Sequence, residues 1–266
     1  AAGMKLNAIG TSASDHVLGY VAAWEYAEVI SGYTAFYLGA KSVCPDVTMK
    51  TVVTKSWGNE GRESTGADKL IKAGCKVISQ HADTYGAPNA CNTAGVPNIS
   101  YNVSANGGNL ASTYLCSSRI NWTPYFNYVV ESVKNNTTIA YDWCGGLAEG
   151  SVVVGEVGSC AAPGTQAAID AAKENIKNGT VKVFDCSKFT VSAENNPGGD
   201  YTVDAEGHIL TCKADVVPDK AYTPDTEVVS NGVFQESTKR SAPYFTLNID
   251  GIECIDKGSQ YDKNNN

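Results

Sequence analysis

Histidine and methionine are scarce in this 266-residue chain, with three of the first and two of the second. A multi-histidine metal centre is therefore not expected: His16 and His208 lie in segments with no ligand spacing to His81. No run of about 18 apolar residues occurs, so no membrane-spanning helix is expected. Basic residues form no run and are outnumbered, 20 Lys and Arg against 28 Asp and Glu. The net charge of −8 and the pI of ≈ 4.9 argue against nucleic acid or an anionic membrane as a partner and for plain solubility. Nine cysteines are present without any Cys-x-x-Cys pair, which argues against a zinc ribbon or a thioredoxin-type motif. The first residues, "AAGMKLNAIG", lack the charged and apolar regions of a signal peptide. No internal repeat is visible. The glycines of "EGSVVVGEVG" (149–158) do not make the strand–G-x-G-x-x-G–helix of a dinucleotide site.

Hydrophobic content of 42% with 18% charged residues is that of a globular chain, long enough for one large domain or two small ones. An odd number of cysteines leaves at least one thiol unpaired in a monomer. Cys75 and Cys254 sit in apolar runs where a free buried thiol is common, and disulfides elsewhere stay open. Asn-x-Ser/Thr triplets begin at Asn98, Asn102, Asn121, Asn136 and Asn178 and matter only in a eukaryotic secretory route.

The first hundred residues alternate. Strands are expected at 17–23, 47–54, within "CKVISQ" and at 96–103. Helices are expected from Glu28 to Leu38 ending at Gly39, from Glu63 to Ala73 stopped by Gly74, and from Ala87 to Thr93 before Gly95. This rhythm predicts a parallel sheet flanked by helices. Beyond residue 105 the pattern changes. A strand is expected at 112–120, an amphipathic helix at 121–136 with Pro124 in its first turn, and a glycine-punctuated strand or hairpin at 141–158. Another helix at 163–178, a β-like stretch at 180–191, a loop-rich segment from 194 and a frayed tail "DKNNN" complete the reading.

In an open parallel sheet, ligands sit beyond the carboxyl ends of the strands. Those ends carry Trp24 and Tyr26, Ser56 and Trp57, Gln80, His81 and Asp83, and Tyr101 and Asn102. Aromatic faces beside a few hydrogen-bonding groups suit a flat ligand with polar edges, such as a purine; the bland alternative is that they close a core edge. In "KVISQHADTYG" (76–86), His81 is read as part of a polar rim with Gln80 and Asp83. Gln80 offers both donor and acceptor to a base edge, and Asp83 an acceptor to a ribose hydroxyl or exocyclic amine. As a general base His81 would pair with Asp83, but no Ser or Cys motif marks a nucleophile. Trp57 is a stacking surface or a hydrophobic plug. Trp122 and Tyr125 contact ligand or pack a core. Trp143 precedes Cys144-Gly145-Gly146, glycines that admit a close backbone approach or merely turn a hinge. Glu28, near a helix start, is accounted for by the helix dipole alone.

Four ordered stretches resemble the basic membrane protein family, substrate-binding lipoproteins of ABC transporters for purines and nucleosides. They are "LGYVAAWEYAEVISGYTAFYLGAKSVCPD", "TKSWGNEGRESTGADKLIKAGCKVISQHADT", "SSRINWTPYFNYVV" and "DWCGGLAEGSVVV"; "DTEVVSNGVFQESTKRSAPYFTLNIDGIE" is similar to the C-terminal part of some members. The resemblance implies an α/β, type I periplasmic-binding-protein-like fold of two lobes joined by crossover hinges. One lobe is largely complete and the other partial, since about a hundred residues found at the front of the family have no counterpart. Residues 1–16 are then the tail of that front lobe, 17–105 the Rossmann-like ligand-binding lobe, 106–190 the hinge crossovers and interlobe elements, and 191–266 a loop-rich C-terminal segment.

It also implies a purine base or nucleoside as cargo, an ABC permease as partner, an extracytoplasmic location (periplasmic, or at the cell surface as a lipoprotein in the full-length form), no cofactor and no chemistry on the ligand. The ligand-binding set is Trp24, Trp57, Gln80, His81, Asp83, Tyr101, Trp122, Trp143 and Gly146. Two departures stand out. The family's Trp-Phe-Asp-Pro turn reads Trp57-Gly58-Asn59-Glu60 here, and nine cysteines are unusual. The competing readings are a nucleoside-processing enzyme using His81 and Asp83, and a ligand-sensing or surface module built on the same fold.

Overall fold

The computed structural model describes residues 1–217 and 223–264. Helix α1 (Ala2–Ile9) leads into an alternating run: β1 (Val17–Ala22), α2 (Ala27–Lys41), β2 (Thr48–Val53), α3 (Glu60–Lys72), β3 (Val77–Gln80), α4 (Gly86–Ala94) and β4 (Asn98–Tyr101). Then follow β5 (Tyr114–Ile120), α5 (Thr123–Lys134), β6 (Val152–Val154), α6 (Thr165–Lys177), β7 (Tyr201–Val203), β8 (Ile209–Ala214), β9 (Thr226–Glu227), β10 (Val229–Ser230), β11 (Val233–Phe234) and β12 (Ile252–Asp256). Seven strands form the main sheet in the order β12-β2-β1-β3-β4-β5-β6. Every neighbouring pair is parallel except β5 with β6. Chain direction around the sheet reverses between β1 and β3, so their carboxyl ends flank the crevice where α/β sheets hold ligands.

Strand periodicity sorts the core. From β1, Leu18, Tyr20 and Ala22 enter a large core with Met49 and Val53 of β2 and Val77 of β3, while Val21, Val52 and Ile78 enter a smaller one on the other face. The smaller core is closed by α3 and α4 through Ala67, Leu70, Ala87 and Cys91. The larger is closed by α1 and α2 and by Phe184, Phe189, Phe234, Phe245 and Ile249. Helix α3 is capped by Asn59, whose side chain accepts from the Arg62 amide at 3.0 Å, and is followed by Gly74 at φ +94°.

The structure revises several local expectations. Helix α2 continues through Gly39 to Lys41, because a mid-helix glycine costs only about 1 kcal/mol and the buried Tyr37, Leu38 and Ala40 repay it. The stretch 180–191 is not a strand: it forms a 3₁₀ turn at Cys186–Lys188, capped by Asp185, and only isolated bridges. Its apolar residues anchor singly in the large core rather than by alternation. Residues 141–158 yield only β6, paired antiparallel with β5. The segment from 191 is rich in loops, yet it supplies β12 to the sheet edge and an aromatic cluster in which Phe184 and Phe234 each lie 4.8 Å from Phe245. Residues 1–16 likewise belong to the large core, since Ala2 and Leu6 are buried against α2. The expected frayed tail begins inside a 3₁₀ segment, Ser259–Asn264, and its last two residues lie outside the described residues.

Candidate functional site

The carboxyl edge of the sheet carries a row of rings. Trp24 follows β1 and stacks on Tyr26 (5.6 Å between centroids, 13° between planes). Tyr26 meets Trp57, which follows β2, at 6.1 Å; Trp57 meets His81, which follows β3, at 6.0 Å; His81 stacks on Tyr101, the last residue of β4, at 5.1 Å and 26°. Four neighbouring strands therefore each deliver one ring of a continuous aromatic row, and Tyr26 fills the step between the first two. Tyr26 and Trp57 are about half exposed, at 54% and 47%, leaving aromatic surface free to stack on a ligand. The two loops that present the row are held in left-handed backbone: Lys55 at φ +53° before Trp57, and Asn102 at φ +56° after Tyr101. Arg62 clamps the first by donating to the carbonyls of Thr54 and Lys55, both at 3.2 Å; Asn102 secures the second by accepting from the Ile120 amide at 2.8 Å.

Within this row His81 is a buried ring rather than a rim group, being only 7% exposed. Its Nδ1 is 3.3 Å from the buried Tyr20 hydroxyl, and its Nε2 3.8 Å from Glu28 Oε1. Burial pushes the imidazole below its ordinary pKa, outweighing the Glu28 carboxylate, so the ring is neutral at pH 7. Burial also raises the Tyr20 phenol, which keeps its proton. The tautomer with hydrogen on Nε2, the nitrogen facing Glu28, leaves Nδ1 to accept from that phenol.

Gln80 also departs from the expected rim. It is buried, and its amide donates to the carbonyls of Ala82 at 2.6 Å and Thr84 at 2.8 Å, so it braces the loop that carries Asp83. Asp83 is exposed beside the row. The Tyr101 phenol is raised by burial first, then by the charges of Glu28 and Asp83, which places both carboxylates near the exposed end of that ring. Two buried polar atoms at this edge have no partner among the described residues, Trp24 Nε1 and Gln80 Oε1. Tyr26 and Glu28 also line a cleft of ≈ 500 Å³ together with Arg240, Pro243 and Tyr244.

Trp122 and Trp143 belong to a second aromatic group, and Gly146 follows in the turn after Trp143. Tyr125 joins the two indoles, 6.3 Å from Trp122 and 5.3 Å from Trp143. Gly145 is needed there by Trp143's own ring: a Cβ would stand 2.4 Å from the indole and 2.5 Å from Ser151 Oγ. Gly146 instead donates its amide to Glu149 at 2.7 Å. Sequence reasoning undervalued Glu28, and it missed Tyr20 and Glu63. The Glu63 carboxylate, buried at 1% exposure, accepts from the Asn59 amide at 2.7 Å and from the Thr84 hydroxyl, tying the Trp57 loop to the His81 loop. No capping box announces it, since Glu63 stands four residues after the capping Asn59 rather than three.

The family model for ABC transporter substrate-binding protein, PnrA-like, matches residues 7–186. A candidate ABC transporter glucose-binding protein of Haloferax volcanii is 31% identical over 184 residues, 68% of this chain and 46% of its own length. A purine-binding protein of Brucella abortus is 27% identical over 185 residues, 67% of this chain and 52% of its own. The chain thus spans about half the length of these relatives. Among solved structures, an ABC transporter solute-binding protein of Conexibacter woesei superposes with a TM-score of 0.53 at 18% identity, over 68% of this chain and 62% of that one, a likeness of fold. With a mostly parallel sheet flanked by helices in the periplasmic-binding-protein manner and a family match over most of its length, the chain belongs to the PnrA-like family of ABC transporter substrate-binding proteins.

Proposed function

We propose that this protein binds a purine base or nucleoside at the carboxyl edge of its sheet and delivers it, chemically unchanged, to an ABC permease. The observation that carries the reading is the aromatic row Trp24–Tyr26–Trp57–His81–Tyr101, half-exposed at Tyr26 and Trp57 and bordered by Asp83 and Glu28. Stacking is sequence-tolerant toward any base, and the carboxylates supply acceptors for a ribose hydroxyl or an exocyclic amine. The family match supports the transport partnership, and the proposal extends to an extracytoplasmic, lipid-anchored setting. Residues 106–190 then carry the hinge crossovers, and ligand selects a closed form in which Trp122, Trp143 and Gly146 approach from the opposite side.

A sugar is the second reading. The same rings suit the apolar face of a pyranose, and the Haloferax relative is named for glucose. Calorimetric titration with adenine, guanine, adenosine, guanosine, inosine and glucose separates the two. Micromolar or tighter binding of one purine, without turnover, supports the proposal. Trp57→Ala should then weaken it about 5- to 150-fold, the ~1–3 kcal/mol that one stacked base contributes. Heat from glucose alone moves the assignment to sugars, and release of free base from a nucleoside overturns the non-enzymatic reading.

A further inference from the structure

The amino edge of the sheet, opposite the aromatic row, holds a second set of reactive groups. His16 directly precedes β1, and the turn Cys44-Pro45-Asp46 leads into β2, its neighbour in the sheet. A bond from the Val47 amide to the Cys44 carbonyl (3.1 Å) closes that turn and brings the side chains of Cys44 and Asp46 together. Cys44 Sγ lies 3.6 Å from Asp46 Oδ1, and His16 Nδ1 lies 2.7 Å from the same oxygen. Nitrogen, sulfur and oxygen all fall within 4.8 Å of one another. His16 and Cys44 are buried, while the Asp46 side chain is 51% exposed at the mouth. We propose that His16 Nδ1, Cys44 Sγ and the Asp46 carboxylate are three ligands of a site for a borderline divalent transition metal of the Zn²⁺ type, with a fourth position open to water past Asp46.

Three features support this. The donor set of imidazole, thiolate and carboxylate is the one Zn²⁺ takes in four-coordinate sites. A tetrahedral ion with such ligands needs donor atoms roughly 3.3–3.6 Å apart; Cys44 Sγ and Asp46 Oδ1 already stand at 3.6 Å, and His16 Nδ1 and Asp46 Oδ1 must open from 2.7 Å. The outer shell is also already in place. His16 Nε2 is 3.0 Å from the Gly10 carbonyl, which can only accept, so Nε2 carries hydrogen and Nδ1 is the nitrogen left for a metal.

When M²⁺ binds, the Cys44 thiol gives its proton to solvent, and neutral imidazole, thiolate and carboxylate surround the ion in a complex of net charge zero.

The test is titration of the reduced, metal-free 266-residue protein with Co²⁺, followed by displacement with Zn²⁺. One equivalent of Co²⁺ with a thiolate-to-cobalt charge-transfer band is expected, together with a higher unfolding temperature in Zn²⁺. Cys44→Ser should abolish the band. Cys44→Ser and Asp46→Asn should each weaken binding by at least about tenfold, the smallest loss expected even for an outer-shell partner. Asp204→Asn, at the separate Asp204–Glu206–His208 cluster, should change nothing. Asp46 is exposed enough for its variant to fold if Cys44→Ser does not. A band that survives Cys44→Ser, binding indifferent to Asp46→Asn, or no uptake at micromolar metal overturns the assignment.

Discussion

Replacing Glu63 by alanine should loosen the loops that carry Trp57 and His81 and destabilise the fold together. Its carboxylate is buried and accepts two hydrogen bonds, from the Asn59 amide at 2.7 Å and from the Thr84 hydroxyl. Hydrogen bonds to a charged group contribute about 1.5–3 kcal/mol each. Asn59 is exposed and Thr84 half-buried, so water re-satisfies part of each donor and the lower end applies, about 3 kcal/mol for the pair. At about 2–4 °C per kcal/mol for a chain of this size, thermal unfolding should fall by roughly 6–12 °C. Glu63→Gln keeps the acceptor for Asn59 and should cost less than half as much. A double-mutant cycle with Thr84→Val, read by urea unfolding, isolates the second bond and should give a coupling of about 1 kcal/mol. If Glu63→Ala stays within about 1 kcal/mol of the parent, or the cycle shows no coupling, the two loops are not joined through this carboxylate and the brace is refuted.

Two buried histidines should titrate with opposite sign. His16 is raised by its bonds to Asp46 and Gly10, so its stabilisation is complete below the ordinary value of about 6.5 and is lost as pH rises through the raised one. His81 is lowered by burial, so its contribution is present above about 6.5 and lost as pH falls. In metal-free protein, His16→Gln should therefore cost most on the acid side and His81→Gln most on the alkaline side, as urea unfolding at pH 5 to 9 would reveal; parallel profiles would contradict both environments. Gly86→Ala should destabilise by about 1–3 kcal/mol, since its Cβ would lie 2.5 Å from the Glu60 carbonyl oxygen where α4 crosses the start of α3. An unchanged melting temperature would show that this crossing has slack.

Local chemistry settled much of this protein without reference to its tertiary structure. Alternating β-branched strands and glycine-stopped helices from 17 to 101 predict the parallel sheet, because period 2 and period 3.6 are properties of neighbouring residues. Placing ligands at strand ends then marks Trp24, Trp57, His81 and Tyr101, which the fold brings into one row. What the chain order leaves open is the depth and partners of a side chain. Gln80 and His81 read alike as rim residues, yet one spends its amide on the carbonyls of Ala82 and Thr84 and the other is buried on Tyr20. Phe184, Phe234 and Phe245 stand in stretches without periodicity, and only long-range packing makes them one cluster and returns β12 to the sheet edge. His16 and the Cys44–Asp46 turn are 28 residues apart at their nearest and share no motif. The parallel pairing of β1 with β2 brings the loops before those strands together, and so sets an imidazole, a thiol and a carboxylate side by side.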